Sequence, residues 1–201
     1  MIKTIFDFSL SLIGFVFLSP ILCLISLLLL LSISAPILFK QKRPGLHGIP
    51  FYFYKFRTMT NEKDSNGNLM SENKRITKLG HFLRKTSLDE LPSLWNVLKG
   101  EMSLVGPRPL LMEYLPLYSK KQMKRYEVKP GITGWAQING RNSISWEEKF
   151  KLDVWYVENR TFLLDIKILF LTIYKVIKAD DITPKGHTIM PKFKGSKKAN
   201  F

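Results

Sequence analysis

No charged residue occurs between positions 8 and 39, a run of 32 residues. Coiled as one helix it would reach about 48 Å, well beyond the roughly 30 Å hydrocarbon core of a bilayer. Ser19-Pro20 interrupts the run near its middle. A proline there removes one intrahelical hydrogen bond and crowds the preceding turn, which predicts a kink. In lipid the freed carbonyl needs another donor, and the Ser19 hydroxyl is placed to supply it. Three readings stay open. One is a single straight or kinked span. A second is a re-entrant helix-break-helix whose short arms dip in and return. The third is a cleaved signal peptide, with "SIS" before Ala35 as its small-residue site, although the run is about twice the usual 7–15 residues. Lys3 before the run and Lys40, Lys42 and Arg43 after it favour re-entry, because positive flanks stay in the cytosol.

Beyond the anchor the pattern changes. "PFYFYKFRTM" (50–59) alternates as a strand, with Lys55 and Arg57 on one face. The polar stretch 60–75, with Asn66-Gly67, predicts a mobile loop. Leu91, Leu94, Trp95 and Leu98 fall on one helical face, with Gly100 as the stop and Pro92 tolerated in the first turn. Trp146, Phe150, Asp153, Val154 and Val157 predict an amphipathic helix. Another covers 162–177, broken by Asp165, Lys167 and Lys175, and suits either a core or a bilayer surface. The basic tail "KFKGSKKANF" predicts disorder. The expected fold class is α+β, mostly helical, with a small β region and amphipathic helices along the membrane. Its parts are a membrane segment at 1–39, a main domain at 40–190 and a basic tail at 191–201.

Charge sharpens this division. The chain of 201 residues carries 31 Lys and Arg against 16 Asp and Glu, a net charge of +15. Lys3 and Asp7 cancel within the first 39 residues, so the whole excess belongs to the rest. So basic a surface faces anions: nucleic acid, anionic lipid or phosphorylated substrates. Cys23 is the single cysteine and His47, His81 and His187 are scattered, which excludes an intramolecular disulfide and a Cys/His zinc cluster.

Against that excess, Asp89 and Glu90 stand side by side in "RKTSLDELPSLWNVLKGEMSLVGPRP". The plainer reading is a capping box, Ser87-x-x-Glu90, with acids complementing a helix N-terminus. The neighbours ask for more. Arg84 and Lys85 precede the pair, Arg108 lies between two prolines, and "KPGITGWAQINGRN" holds three glycines before Arg141. Glycine turns let backbone N–H groups approach an anion, and arginine grips phosphate oxygens bidentately. Carboxylates beside phosphate are reconciled by Mg²⁺, which takes one or two carboxylates together with substrate phosphates. An ionised aspartate can also attack phosphorus. A membrane-anchored anion-binding protein is the rival, with salt-sensitive binding that does not need Asp89.

"YKFRTM", "LRKTSLDELPSLWNVLKGEMSLVGPRPLL", "VKPGITGWAQINGRN" and "KLDVWYVENRTFLLDIKILFLTIYKV" resemble the small monotopic phosphoglycosyl transferases, also called bacterial sugar transferases. Within that family the chain looks similar to the undecaprenyl-phosphate bacillosaminyl-1-phosphate transferases of protein glycosylation, partly through "KGHTIMPKFKG". The resemblance implies a re-entrant helix broken at Ser19-Pro20. It also implies transfer of a sugar-1-phosphate, of an N-acetylated deoxyamino sugar, from a UDP-sugar to polyprenyl (undecaprenyl) phosphate with Mg²⁺. Asp89 would be the nucleophile and Glu90 its partner, the two also being the metal ligands. Arg108, Arg141 and Lys55 would hold phosphate, Arg84 would face the lipid head groups, and Asp165 matches a further acid of undefined role. Implied surroundings are the cytosolic face of a bacterial inner membrane, with membrane lipids and no nucleic acid as partners. Downstream glycosyltransferases or a homo-oligomer are further candidates. Glu101 departs from the family's more frequent Asp but keeps the charge.

Overall fold

The computed structural model describes residues 2–33, 35–140, 143–178 and 192–196. The apolar run forms α1 (Ile2–Ile33), and the expected break does not interrupt it: Pro20 lies inside the helix. The reason is local. The Ser19 hydroxyl donates to the Val16 carbonyl at 2.7 Å, the acceptor that the missing N–H of Pro20 would have served. One stripe of α1 is buried, including Asp7, Ser11, Ile25, Leu29 and Ile33. The rest stays open, with Phe17 and Leu31 each 79% exposed. Large apolar side chains continuous over such a face call for an apolar surrounding.

β1 (Leu38–Pro44) and β2 (Pro50–Phe56) pair antiparallel, from Leu38 opposite Phe56 to Pro44 opposite Pro50. Alternation puts Phe51 and Phe53 into the core. It turns Tyr52 outward, with the Lys40 and Lys42 ammonium groups 5.8 and 5.7 Å from its ring centre. The strand ends at Phe56, three residues early; beyond it the Arg57 N–H donates to the Ile37 carbonyl and its guanidinium to the Ile33 carbonyl, both at 2.7 Å. The stretch 60–75 is more structured than its polarity predicts. Asp64 accepts from the N–H groups of Asn66 and Asn68, both at 2.9 Å, and α2 (Glu72–Arg75) follows.

Next come α3 (Lys78–Lys85), a 3₁₀ segment (Leu88–Ser93) and α4 (Leu94–Leu98). Gly100 ends the last at φ +75°, as its position predicts. β3 (Ser103–Val105), α5 (Lys120–Met123), β4 (Gly131–Thr133) and α6 (Trp135–Ile138) are short. β3 and β4 pair in parallel, Ser103 with Gly131 and Val105 with Thr133. α7 (Trp146–Asn159) and α8 (Phe162–Lys178) complete the body where the periodicity places them. α8 answers both readings of its sequence: Ile168 is fully buried, while Leu163, Phe170, Ile173 and Tyr174 are exposed.

The main core joins Phe51 and Phe53 of β2 to Leu94 and Val97 of α4, Val105 of β3, Tyr156 of α7 and Ile168 of α8. Ile25, Leu29 and Ile33 of α1 form a second cluster with Phe56 and Leu83. The tail differs from its expected disorder at 192–196. Phe193 is only 4% exposed, set among Tyr114, Tyr118, Trp146 and Phe150, and its N–H donates to the Tyr114 hydroxyl at 3.3 Å. One aromatic side chain in an aromatic nest outweighs the basic composition around it.

Buried Asn96 stitches α4 to β2. Its amide donates to the Tyr52 carbonyl and to Glu101, both at 2.7 Å, and accepts from the Tyr54 N–H at 3.1 Å. Glu101, the family departure, therefore has a structural role. Asn96→Ala removes all three bonds from a fully buried position, so a loss of about 2 kcal/mol is expected in a thermal or denaturant melt. An unchanged midpoint would show that the stitch contributes nothing.

Both ends of α1 are fastened to this one body. At its start Lys3 lies 2.5 Å from the Asp165 carboxylate, which also accepts from the Tyr156 hydroxyl at 2.6 Å. Asp7 accepts from the Ser103 hydroxyl at 2.7 Å. At its end stands the Arg57–Ile33 bond.

Candidate active site

Ser87 adopts a left-handed conformation (φ 59°, ψ 14°), which turns the chain sharply between α3 and the 3₁₀ segment that carries the acid pair. The capping box expected from Ser87 and Glu90 does not form; no side-chain cap is made there. Glu90 instead accepts from both terminal nitrogens of Arg108, from Nη1 at 2.8 Å and from Nη2 in a second, shorter bond. A fork of this kind is worth more to the carboxylate than one backbone N–H. Glu90 holds the Arg108 guanidinium firmly charged, raising its pKa.

Asp89 is 5% exposed. Burial first, and the Glu90 charge next, push its carboxyl up to about 6, against the pull of Lys55, Arg108 and Arg84. Lys55 reaches this acid from β2, its ammonium 5.3 Å from the Phe39 ring centre, and burial lowers its pKa. Arg84, near the end of α3, is steered by a 2.9 Å bond from Nε to the Thr58 hydroxyl. α3 can approach Thr58 so closely because of Gly80, where a Cβ would lie 2.0 Å from the Thr58 carbonyl oxygen.

The structure thus gathers Asp89, Glu90, Lys55, Arg84 and Arg108. The segment sits against the middle of α1: Leu88 shares a packed cluster with Leu22, and Leu91 and Leu94 share one with Phe15 and Leu18. These α1 residues bracket Ser19-Pro20. Asp165 is placed with Lys3 and Tyr156 and serves the fastening of α1. Arg141 lies outside the described residues.

Two glycine N–H groups near Arg108 are taken up by backbone carbonyls and do not face an anion. The Gly106 N–H donates to the Thr133 carbonyl at 2.9 Å and the Gly131 N–H to the Pro107 carbonyl at 3.0 Å. A Cβ at Gly131 would fall 2.1 Å from the Gly106 nitrogen. These glycines let β3 and β4 press backbone to backbone, and that contact sets where Arg108 emerges.

Sequence reasoning missed four residues here. Arg43, read only as a membrane flank, is brought beside Arg108 and Glu90 by the hairpin; burial and the Arg108 charge lower its pKa to about 10. Lys149 is buried near Arg108, its pKa lowered to about 8 mainly by burial. Arg125 and Asp153 form an ion pair at 2.8 Å, and Arg125 also donates to the Arg108 carbonyl at 2.8 Å. The i, i+4 spacing of Lys149 and Asp153 on the Phe150 side of α7 was the one available signal.

Among the described residues no group of three or more His, Cys, Asp or Glu side chains gathers into a metal cluster. Asp89 and Glu90 nonetheless present adjacent hard oxygen donors, the one buried beside its like-charged neighbour. That fits Mg²⁺, which completes its shell with substrate phosphate and water.

A cleft of about 280 Å³ opens beside the pair, lined by Glu90 and Arg108 and walled by Leu94, Leu104, Ile138 and Leu169.

A family profile described as bacterial sugar transferase matches residues 1–179. An uncharacterized sugar transferase, EpsL, of Bacillus subtilis is 64% identical over 166 residues, covering 83% of this chain and 82% of that one. A UDP-glucose:undecaprenyl-phosphate glucose-1-phosphate transferase of Escherichia coli is 42% identical, covering 87% of this chain and 40% of its own length. An undecaprenyl-phosphate galactose phosphotransferase of Salmonella typhimurium is 40% identical, covering 73% and 34%. The chain therefore spans most of the Bacillus relative and less than half of the other two.

Proposed function

Because this chain belongs to the bacterial sugar transferase family, we propose that it transfers a sugar-1-phosphate from a UDP-sugar to polyprenyl phosphate, releasing UMP. The observation that carries this reading is the split within the acid pair: Glu90 is engaged by Arg108, while Asp89 lies buried among Lys55, Arg84 and Arg108.

In the first step a carboxylate oxygen of Asp89 attacks the β-phosphorus. The bond from that phosphorus to the bridging oxygen breaks, and UMP leaves with the electron pair. In the second step a phosphate oxygen of the polyprenyl acceptor attacks the same phosphorus. The Asp89–phosphorus bond breaks and the carboxylate is restored. Lys55 and Arg108 balance the charge of the transferred phosphoryl group, and Arg43 adds a third cation on the Arg108 side. Mg²⁺, held by Asp89 and Glu90, would neutralise charge on the departing phosphate.

α1 would span about 48 Å if it crossed a bilayer end to end, yet both of its ends are fastened to one body. This supports a helix seated in one leaflet, and the positive flank at Lys40, Lys42 and Arg43 favours the cytosolic face, where soluble and lipid substrates meet. The sugar has two readings. The motif resemblance favours an N-acetylated deoxyamino sugar, as in protein glycosylation. The glucose-1-phosphate and galactose phosphotransferases among its relatives favour glucose or galactose.

A single-turnover experiment in nanodiscs with Mg²⁺, without acceptor, tests the proposal. The panel is UDP-glucose, UDP-galactose, UDP-N-acetylglucosamine and UDP-diacetylbacillosamine. Stoichiometric UMP and a phosphosugar mass on the Asp89 peptide are expected with one of them. UMP formed only after polyprenyl phosphate is added would replace the two-step route by direct transfer. No UMP with any sugar, with or without acceptor, would remove the reading.

A further inference from the structure

Gln137 of α6 lines the same cleft as Glu90 and Arg108. Both polar atoms of its side-chain amide are buried, and among the described residues neither has a hydrogen-bond partner. The amide is built in rather than squeezed in. Gly134 stands against it, and a Cβ there would come within 2.8 Å of Gln137 Oε1. The hydroxyls of Thr133 and Thr172 on the same wall satisfy each other at 2.7 Å. Gln137 is thus the polar group of this wall left with both a donor and an acceptor to give.

An unsatisfied buried amide weakens the unliganded fold, so a retained one asks for a ligand. The cleft volume of about 280 Å³ lies just below the roughly 300–1,000 Å³ that holds a whole drug-sized ligand, and so suits one ring. Its apolar walls match the flat faces of a uracil or the C–H face of a pyranose. An isoprenyl chain would fill the walls equally well but leave both amide groups unpaired. A ring edge with adjacent donor and acceptor would pair both.

We propose that Gln137 is a substrate-positioning residue, whose amide grips the donor–acceptor edge of one ring of the UDP-sugar while Arg108 holds its phosphate. This rests on the sugar-phosphate transfer reading above. The two rings that carry such an edge are the uracil and the sugar, and the test separates them.

Wild type and Gln137→Met, similar in volume but without the amide, are compared in nanodiscs. Thermal melts without ligand are joined to calorimetric binding of pyrophosphate, UDP, UDP-glucose and UDP-N-acetylglucosamine. The variant is expected to melt at or above wild type and to bind pyrophosphate equally. If uracil is the partner, UDP and both UDP-sugars weaken together by about 10- to 100-fold, the scale of one or two hydrogen bonds. If the sugar is the partner, UDP is unaffected and only UDP-sugar binding weakens. Unchanged binding of every ligand overturns the proposal. So does a lower melting temperature of the unliganded variant, which would show the amide to be a structural contact. A wild type that binds neither UDP nor any UDP-sugar would instead defeat the transferase reading, and this inference with it.

Discussion

Asp89→Asn is expected to yield a protein that is more stable without metal and at least about a thousandfold slower, the scale of losing a covalent nucleophile. The two effects have one origin. Burial and the neighbouring Glu90 charge raise the Asp89 carboxyl to about 6, from 3.8 for an unperturbed carboxyl. Below about pH 4 the group is protonated whether the chain is folded or not, and its environment does no harm. Between about pH 4 and 6 the unfolded chain gives up the proton while the folded one keeps it, and up to about 3 kcal/mol of stability is lost across that window. Asparagine never ionises and escapes that loss. The gain in melting temperature, measured with a chelator present, should be near zero at pH 4 and reach its full value by about pH 7. A variant that is less stable at every pH would mean the charge is welcome in its site. Retained turnover would deny Asp89 the role of nucleophile.

The sequence shows this acid because charge and spacing mark it: two carboxylates in a basic chain, followed by an arginine between prolines. What it hides is what depends on tertiary approach. Arg43 reads as the positive flank of a membrane segment until the β1–β2 hairpin folds it back beside Arg108. Gly131 reads as part of an anion-binding turn because a glycine kept for its exposed N–H and one kept for close backbone packing look alike in a sequence. The ladder between β3 and β4 decides for packing. Ser19-Pro20 reads correctly as a hydroxyl rescuing a carbonyl, yet the rescue keeps α1 continuous where a break was expected. Asp165 reads as an acid of undefined role and is paired with Lys3, a contact 162 residues apart that no local pattern announces.

The largest loss of stability is expected at Asp153, a motif residue to which the sequence assigns no chemistry. Arg125 and Asp153 are each 2% exposed, and Asp153 Oδ2 accepts from Arg125 Nη2 at 2.8 Å and from Nε at 3.2 Å. Asp153→Ala leaves a guanidinium buried without its counter-charge and should cost about 3–5 kcal/mol. The double change Arg125→Met with Asp153→Leu removes both charges and fills their space with apolar side chains, so most of that stability should return. Activity should not return with it. Arg125 Nη2 also donates to the Arg108 carbonyl, and without that bond the turn that aims Arg108 at Glu90 loses its hold. Melting and UMP release, measured on wild type, the single variant and the double variant, therefore separate two roles that the single variant confounds. Recovery of both in the double variant would make the pair purely structural. Recovery of stability alone would make Arg125 the residue that positions Arg108, joining its buried ion pair with Asp153 of α7 to the phosphate site.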